Sequence, residues 1–220
     1  MPAFFGQPRS HIIFAADLDT YDENAAVLEK IASHVDVIKV NCPLLYREGP
    51  QVMARLRDSF AKPVFADIKI ADVPHTDRAI IDIVRQNGGA AAMVHGFVGP
   101  DALEACLDAS RGEIGIIVQL ELTNPGGRLF TAPLADDMAA LAASLGVYGM
   151  QAPGNRPQRI QRIRHIVGAE PVLVCCGVGA QGGHYREVLE AGGTYAIIGR
   201  AIYLAPDPRQ AVLDIVGQPT

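Results

Sequence analysis

The feature that most constrains this chain is a regular alternation of short apolar runs with amphipathic segments. Eight apolar or β-branched runs recur along the 220 residues, and their starts are spaced by about 26 residues on average. Runs of four to eight or so residues are typical of buried strands rather than of helices. The runs occupy residues 11–18, 35–41, 64–70, 90–95, 114–120, 147–152, 172–176 and 195–198.

The segments between these runs have the apolar spacing of helices. They predict helices over residues 22–33, 50–60, 75–87, 100–109, 133–145, 157–167, 184–191 and 207–216. Eight strand–helix units are the number that closes a (β/α)₈ barrel, the TIM barrel, so we predict a single α/β barrel domain over residues 1–220. An open, doubly wound sheet is the structural alternative.

Composition excludes several classes of function. A net charge of −5 argues against a nucleic-acid-binding surface, which would need a basic excess. The sequence has neither a signal peptide pattern nor a run of eighteen apolar residues, so we expect a cytoplasmic protein without a membrane partner. The four cysteines form no C-x-x-C pair and the six histidines form no H-E-x-x-H motif. This pattern favours free thiols and no metal site.

The lysines are scarce and two of them are oddly placed. Only four of the 19 basic Lys and Arg residues are lysines, and Lys39 and Lys69 lie inside apolar runs where burying a charge is costly. Barrel enzymes keep their chemistry at the carboxyl ends of the strands. Polar residues at these predicted ends are Asp17, Lys39, Asp67, Lys69, His95, Glu121, Thr123, Gln151 and Arg200.

The densest group of charges lies on the second and third predicted strands and on the loop that follows the third. Asp67 and Lys69 are two residues apart on a strand and are therefore expected to share a face, with Asp72 on the loop rim and Lys39 on the neighbouring strand. Flanking carboxylates would keep a lysine as an ammonium, which is a poor Schiff-base nucleophile but a good fixed proton donor. A purely stabilising ion-pair network is the alternative interpretation.

A glycine-rich segment, residues 177–183, follows the seventh strand, and Gly199 and Arg200 follow the eighth. Backbone amides, a helix N-terminus and an arginine bind phosphate, and these two loops are the usual phosphate site of a barrel. The residues alone therefore predict a barrel that binds a phosphorylated small molecule, with a protonated lysine at the reacting end.

These motifs resemble the short form of the orotidine 5'-monophosphate decarboxylase family. The segment 67–76 fits that family's D-x-K-x-x-D-I-[GP]-x-T signature, and the similarity continues at residues 14–18, 37–40, 94–96, 123–126, 177–183 and 199–203. The resemblance implies a cofactor-independent conversion of orotidine 5'-monophosphate to UMP, without a metal. It also implies a homodimer with composite active sites.

The resemblance also implies a role for each matching residue. Lys69 would protonate C6 of the pyrimidine, with Asp67 against the departing carboxylate and Asp72 helping to hold Lys69 charged. The remaining residues would bind substrate. Asp17 and Lys39 would meet the ribose, Thr123 the base, Gln181 base and phosphate, Gly199 and Arg200 the phosphate, while Asp72, Val73 and Thr76 would reach the partner subunit's site.

This chain departs from the family's common pattern at a few positions, and two other functions stay open. Thr123 stands where Ser is common, Asn41 where Gly is common, Cys176 where Pro is common and Val73 where Ile is usual. The first alternative is a Mg²⁺-dependent sugar-phosphate decarboxylase or aldolase, similar to 3-keto-L-gulonate 6-phosphate decarboxylase, although Lys39 would repel Mg²⁺. The second is a catalytically silent nucleotide-binding barrel.

Overall fold

The computed structural model describes residues 4–217, so residues 1–3 and 218–220 of the predicted domain lie outside the described residues. Eight strands alternate with helices along the chain, as predicted. The strands are β1 (Ile12–Ala16), β2 (Val37–Asn41), β3 (Val64–Ile70), β4 (Ala91–His95), β5 (Gly115–Gln119), β6 (Gly149–Pro153), β7 (Val172–Cys176) and β8 (Tyr195–Ile198).

The helices cover the outside of the strands. They are α1 (Tyr21–Ile31), α2 (Cys42–Glu48), α3 (Val52–Phe60), α4 (Pro74–Gln86), α5 (Pro100–Ser110), α6 (Arg128–Thr131), α7 (Ala135–Ser144), α8 (Pro157–Val167), α9 (Tyr185–Glu190), α10 (Arg200–Tyr203) and α11 (Pro208–Gly217). Short 3₁₀ turns lie at Ala32–His34, Gly96–Val98 and Ala132–Leu134.

The strands form a closed parallel barrel. Each strand pairs with the next in chain order, and β1 also pairs with β8, where Ile13 lies opposite Ile197. The predicted (β/α)₈ barrel is confirmed and the doubly wound alternative is wrong. Among residues 4–217, no helix is long and apolar enough to cross a membrane.

Three short helices were not predicted, namely α2, α6 and α10. Each has only four to seven residues, which is too few for an apolar period to be recognised. The first of them, α2, is stabilised locally, because the Asn41 side chain accepts a hydrogen bond from the Leu44 N–H at 3.0 Å.

The core has two layers, one between strands and helices and one inside the barrel. Side chains alternate between the layers along each strand, so that Ile13 faces the barrel interior while Ile12 packs under the helices. Phe5 closes the amino-terminal end of the barrel, with its ring 5.7 Å from Phe65 and 5.8 Å from Tyr195, measured between centroids. The opposite, carboxyl-terminal end is left for polar residues.

Candidate active site

A cavity of about 220 Å³ opens at the carboxyl-terminal end of the barrel. Its wall combines residues from the ends of β1, β2, β3, β5, β6, β7 and β8 with the loops that follow them. The lining residues are Ala15, Asp17, Lys39, Asp67, Lys69, Gln119, Leu122, Thr123, Gln151, Cys176, Gly177, Val178, Ala180, Gln181, Ile197, Gly199, Arg200 and Tyr203. Eight of these residues were predicted as site residues from the sequence, namely Asp17, Lys39, Asp67, Lys69, Thr123, Gln181, Gly199 and Arg200.

Asp67 and Lys69 meet at this cavity, as the spacing predicted, but the strand that carries them is irregular. Between the pairs Ala66–Ala92 and Ile70–Val94, β3 advances by four residues while β4 advances by two. Lys69 has a φ of 49°, in the left-handed region that a lysine seldom adopts. Backbone strain of this kind occurs where neighbouring structure requires an unusual direction of a side chain.

Four charges form one network at the wall of the cavity. The Lys69 Nζ lies 2.7 Å from Asp67 Oδ1, and the Lys39 Nζ lies 3.5 Å from Asp67 Oδ2 and 2.9 Å from Asp17 Oδ1. Only 5% of the Asp67 side chain and 6% of the Lys39 side chain are exposed, against 39% for Lys69. Lys69 is therefore the cation of the network that is most open to a ligand.

Burial and charge pairing oppose each other within the network. Burial lowers the pKa of Lys39, but the carboxylates of Asp67 and Asp17 outweigh it, so that the pKa stands above its ordinary value. Burial likewise raises the pKa of Asp67, but the ammonium groups of Lys39 and Lys69 together lower it by more. The pKa of Asp67 therefore stands below its ordinary value. Both groups are thus held in their charged forms at neutral pH.

Asn41, which stands where glycine is common, supports this network. Its side-chain amide donates to Asp17 Oδ1 at 2.9 Å while its oxygen caps α2. The departure therefore adds a hydrogen bond that orients Asp17.

Asp72 and Val73 lie at the rim between β3 and α4, and Thr76 lies in the first turn of α4. The Asp72 side chain is exposed and accepts a hydrogen bond from the Val73 N–H at 2.7 Å. Within residues 4–217, Asp72 makes no ion pair with either lysine. The structure therefore brings Lys39, Asp67 and Lys69 together but leaves Asp72 outside their network. Val73 is 61% exposed although it is apolar.

The glycine-rich loop after β7 is tightly folded. The Gly183 N–H donates to the Gly177 carbonyl oxygen at 3.0 Å, and a side chain at Gly183 would lie only 2.6 Å from the Gly154 carbonyl oxygen. Only glycine fits there. The helix predicted after this loop is α9, and a second short helix, α10, begins at Arg200 directly after Gly199. Arg200 is exposed and has no carboxylate partner among the described residues.

Thr123 and Gln181 converge over the same loop. The position that a Cβ atom would take on Gly177 lies 3.2 Å from Gln181 Oε1 and 3.3 Å from Thr123 Cγ2. These two side chains therefore lie against Gly177 in the wall of the cavity.

Several site residues had no assigned role from the sequence. Gln119 and Gln151 are buried, hydrogen-bonded to each other and line the cavity beneath Thr123. Tyr203 lines the cavity from α10. Gln119 shares a strand face with the apolar Ile117, as Lys39 does with Val37, so the same signal, a polar residue inside an apolar run, could have identified it.

His95 is buried at the end of β4, and its ring stacks on Phe97 with 4.5 Å between centroids. Burial and the nearby charge of Lys69 lower the His95 pKa.

Cys176 lines the cavity, and burial together with the Asp67 charge raises its pKa to about 11. Among residues 4–217, no group of three or more His, Cys, Asp or Glu side chains is arranged to hold a metal ion.

Comparison with known proteins assigns this arrangement to a family. Residues 10–215 match the model of the orotidine 5'-phosphate decarboxylase / HUMPS family. The chain belongs to this family. The orotidine 5'-phosphate decarboxylase of Methanosarcina barkeri is 38% identical over 213 residues, which is 96% of each chain. That of Pyrococcus abyssi is 39% identical over 201 residues, or 90% of this chain and 94% of the relative.

Solved structures of family members have the same fold. Orotidine 5'-monophosphate decarboxylase from Methanocaldococcus jannaschii, complexed with the inhibitor BMP, superposes with a TM-score of 0.88 at 32% identity and covers 94% of this chain and 96% of its own. The Pyrococcus horikoshii orotidine 5'-phosphate decarboxylase superposes with a TM-score of 0.86 at 35% identity, over 93% of this chain and 97% of its own. The family resemblance predicted from the motifs is confirmed.

Proposed function

We propose that this protein is an orotidine 5'-monophosphate decarboxylase, a carboxy-lyase of pyrimidine biosynthesis that releases carbon dioxide and forms UMP. The observation that carries the proposal is the contact of Lys69 Nζ with the buried Asp67 carboxylate at 2.7 Å, beside the cavity, in a chain of this family. Such a contact provides a charged proton donor at a fixed position.

In the proposed reaction the bond between C6 of the pyrimidine and its carboxylate breaks, and the electron pair stays on C6. Lys69 transfers a proton from Nζ to C6, while the carboxylate departs as carbon dioxide next to Asp67. Lys39 compensates the charge of Asp67, at 3.5 Å, and remains an ammonium itself. The proposed step uses neither a metal nor an organic cofactor.

Other cavity residues bind the parts of the nucleotide that do not react. Asp17 and Lys39 hold the ribose hydroxyls, Thr123 meets the ring amide and Gln181 bridges base and phosphate. Gly199 and Arg200 hold the phosphate at the start of α10, where helix N–H groups and an unpaired guanidinium favour an anion. Binding energy from phosphate and ribose would then help to drive the reacting end toward the transition state.

The proposal includes a two-fold homodimer with composite sites. Asp72, Val73 and Thr76 lie at the rim outside their own cavity, where residues of a partner subunit would meet them. In the dimer, Asp72 would complete the charge network of the partner subunit's site. A two-fold axis would make both contributions equivalent.

The sugar-phosphate alternative is disfavoured by the position of Lys39. Its ammonium lies between Asp17 and Asp67, within 2.9 Å and 3.5 Å of their carboxylate oxygens, where a divalent cation would need open ligands. A silent nucleotide-binding barrel would need the phosphate loops but not the buried charged pair.

One assay separates these functions. The protein is mixed with orotidine 5'-monophosphate in excess EDTA, and the loss of the substrate's ultraviolet absorbance is followed. Turnover unaffected by EDTA is expected. No turnover, with or without added Mg²⁺, would refute the proposal, and turnover that EDTA abolishes would favour the metal-dependent alternative. Lys30→Ala, an exposed substitution in the last turn of α1, is the matched control and should react like the parent protein.

A cytoplasmic location, without nucleic-acid or membrane partners, is also part of the proposal. It is supported by Cys42, Cys106, Cys175 and Cys176, which are free thiols in the described structure. Proteins of reducing compartments keep their cysteines in this form.

A further inference from the structure

Glu121 is a buried carboxylate that none of the proposed roles uses. It follows β5 at the mouth of the barrel, and its side chain is fully buried. Both of its oxygens are ion-paired: Arg156 Nη1 contacts Oε1, and Arg159 Nε donates to Oε2 at 2.9 Å. Because both arginines follow β6, Glu121 joins the loop after β5 to the segment after β6.

The backbone of Glu121 is held by the floor of the cavity. Gln119 Nε2 donates to the Glu121 carbonyl oxygen at 3.1 Å, and the Glu121 N–H donates to Gln151 Oε1 at 3.4 Å. Gln119 Nε2 also donates to Gln151 Oε1. Every hydrogen-bonding group of Glu121 therefore has a partner, which leaves the residue little freedom to move.

Arg156 extends this connection to the next residue. Its Nη2 donates to the Leu122 carbonyl oxygen at 3.0 Å, and the Leu122 N–H donates to Thr131 Oγ1 at 3.2 Å. Leu122 is bonded directly to Thr123, which lines the cavity. The direction in which the chain enters Thr123 is thus set by contacts that start at the Glu121 carboxylate.

We infer that Glu121 is a positioning residue, which sets Thr123 against the pyrimidine base through Arg156 without touching the nucleotide itself. The inference rests on the proposed function, in which Thr123 meets the base. A buried ion pair adds little net stability, so its effect here is on geometry. A side chain that contacts a ligand needs such support to keep its hydrogen-bond distance.

Glu121→Gln tests the inference, because it removes the charge and keeps the shape. We expect the affinity for UMP to fall about five- to tenfold, the cost of about one misplaced hydrogen bond, while the affinity for ribose 5-phosphate, which has no base, is unchanged. Titration calorimetry measures both ligands. An equal loss for both would show a general structural defect and overturn the inference, as would no loss for either.

Asp136→Asn is the matched control. Asp136 pairs with Arg159 at 2.9 Å and with Arg162 at 2.9 Å, and it makes no ion pair with Arg156 among the described residues. This variant also weakens an arginine–carboxylate pair, but it leaves the contacts of Arg156 in place. Its affinities for both ligands should equal those of the parent protein, and a loss for UMP like that of Glu121→Gln would contradict the assigned route.

Arg156→Met provides a second test if Glu121→Gln does not fold. It removes the contacts with both Glu121 and Leu122 from a side chain that is only partly buried. A double-mutant cycle with Thr123→Val then decides whether the two residues act together. We expect Thr123→Val to reduce the affinity for UMP clearly less in the Arg156→Met background than in the parent protein. Additive reductions in UMP affinity would refute positioning through Arg156.

UMP binding keeps this inference separable from the proposed function. If the parent protein binds UMP but does not decarboxylate orotidine 5'-monophosphate, the proposed function fails while the UMP and ribose 5-phosphate affinities still test Glu121. If turnover is present and Glu121→Gln leaves KM and UMP affinity unchanged, the inference about Glu121 fails and the proposed function stands.

Discussion

Asp67→Asn should destabilise the fold at neutral pH as well as impair the reaction. The substitution removes the carboxylate that pairs with Lys69 at 2.7 Å and with Lys39 at 3.5 Å. The parent network holds two ammonium groups and two carboxylates, whereas the variant holds two ammonium groups and only Asp17. Lys39 is 6% exposed, so water cannot replace the lost partner.

The expected loss can be estimated from these distances. At an effective dielectric constant of about 20, a charge pair at 3.5 Å interacts by about 4–5 kcal/mol before the cost of burial is counted. Removing one partner of a buried pair typically costs about 3–5 kcal/mol. Lys39 keeps Asp17 at 2.9 Å and Lys69 is partly exposed, so we expect a loss somewhat below this range, about 2–3 kcal/mol.

Urea unfolding followed by circular dichroism measures this difference. The double variant Asp67→Asn with Lys39→Met should recover part of the lost free energy, since it has no uncompensated buried ammonium. An Asp67→Asn protein as stable as the parent at pH 7, or a double variant that recovers nothing, would refute this account of the network.

The difference in the free energy of unfolding between the parent protein and Asp67→Asn should also depend on pH, in a direction that follows from the pKa of Asp67. Because the lysines lower the folded-state pKa of Asp67, its contribution is complete above the unfolded-state value near 3.8 and is lost as pH falls through the folded-state value. The gap between parent and variant should therefore be constant from pH 7 to about pH 5 and shrink below about pH 4. A gap that widens on acidification would contradict the direction of the shift.

Four further outcomes are expected. Lys69→Ala should abolish turnover while UMP binding stays measurable by calorimetry, and a near-parental rate would refute its role as proton donor. Arg200→Ala should raise KM about ten- to hundredfold through lost phosphate binding, whereas Arg209→Ala on α11 should not; an unchanged KM would contradict the phosphate site. Light scattering should give about twice the 23.4 kDa chain mass, and a fully active monomer would exclude composite sites. Cys176, with a pKa of about 11, should react slowly with iodoacetamide at pH 7 and faster toward pH 10 in peptide mass spectra; rapid labelling at pH 7 would contradict the raised pKa.

Sequence reasoning located the eight strands because burial inside a barrel selects continuous β-branched and apolar runs. The observed strands all lie within or close to the predicted segments, and β3, β7 and β8 have the predicted bounds. The helices α2, α6 and α10 were missed because each has only four to seven residues, too few for an apolar period to be recognised. The phosphate site at the loops after β7 and β8 stays a prediction; the helix expected after the glycine-rich segment is α9, and the short α10 begins at Arg200.

The alternation along strands also predicted that Asp67 and Lys69 share a surface, since that relation spans only two residues. The left-handed backbone of Lys69 and the irregular pairing of β3 with β4 had no signal in the sequence, because they depend on how two strands fit side by side. Asp72 lies on the rim, as its motif predicts, but within residues 4–217 it makes no ion pair with Lys39 or Lys69.

The sequence by itself determined which residue types lie at the mouth of the barrel, because strand period and strand order place each side chain on a face and at an end. Which of those residues touch was decided by the tertiary structure. Asp17 reaches Lys39 across 22 positions, and Glu121 reaches Arg156 across 35. Such contacts depend on the closure and stagger of eight strands, a property of the whole sheet that no local pattern encodes.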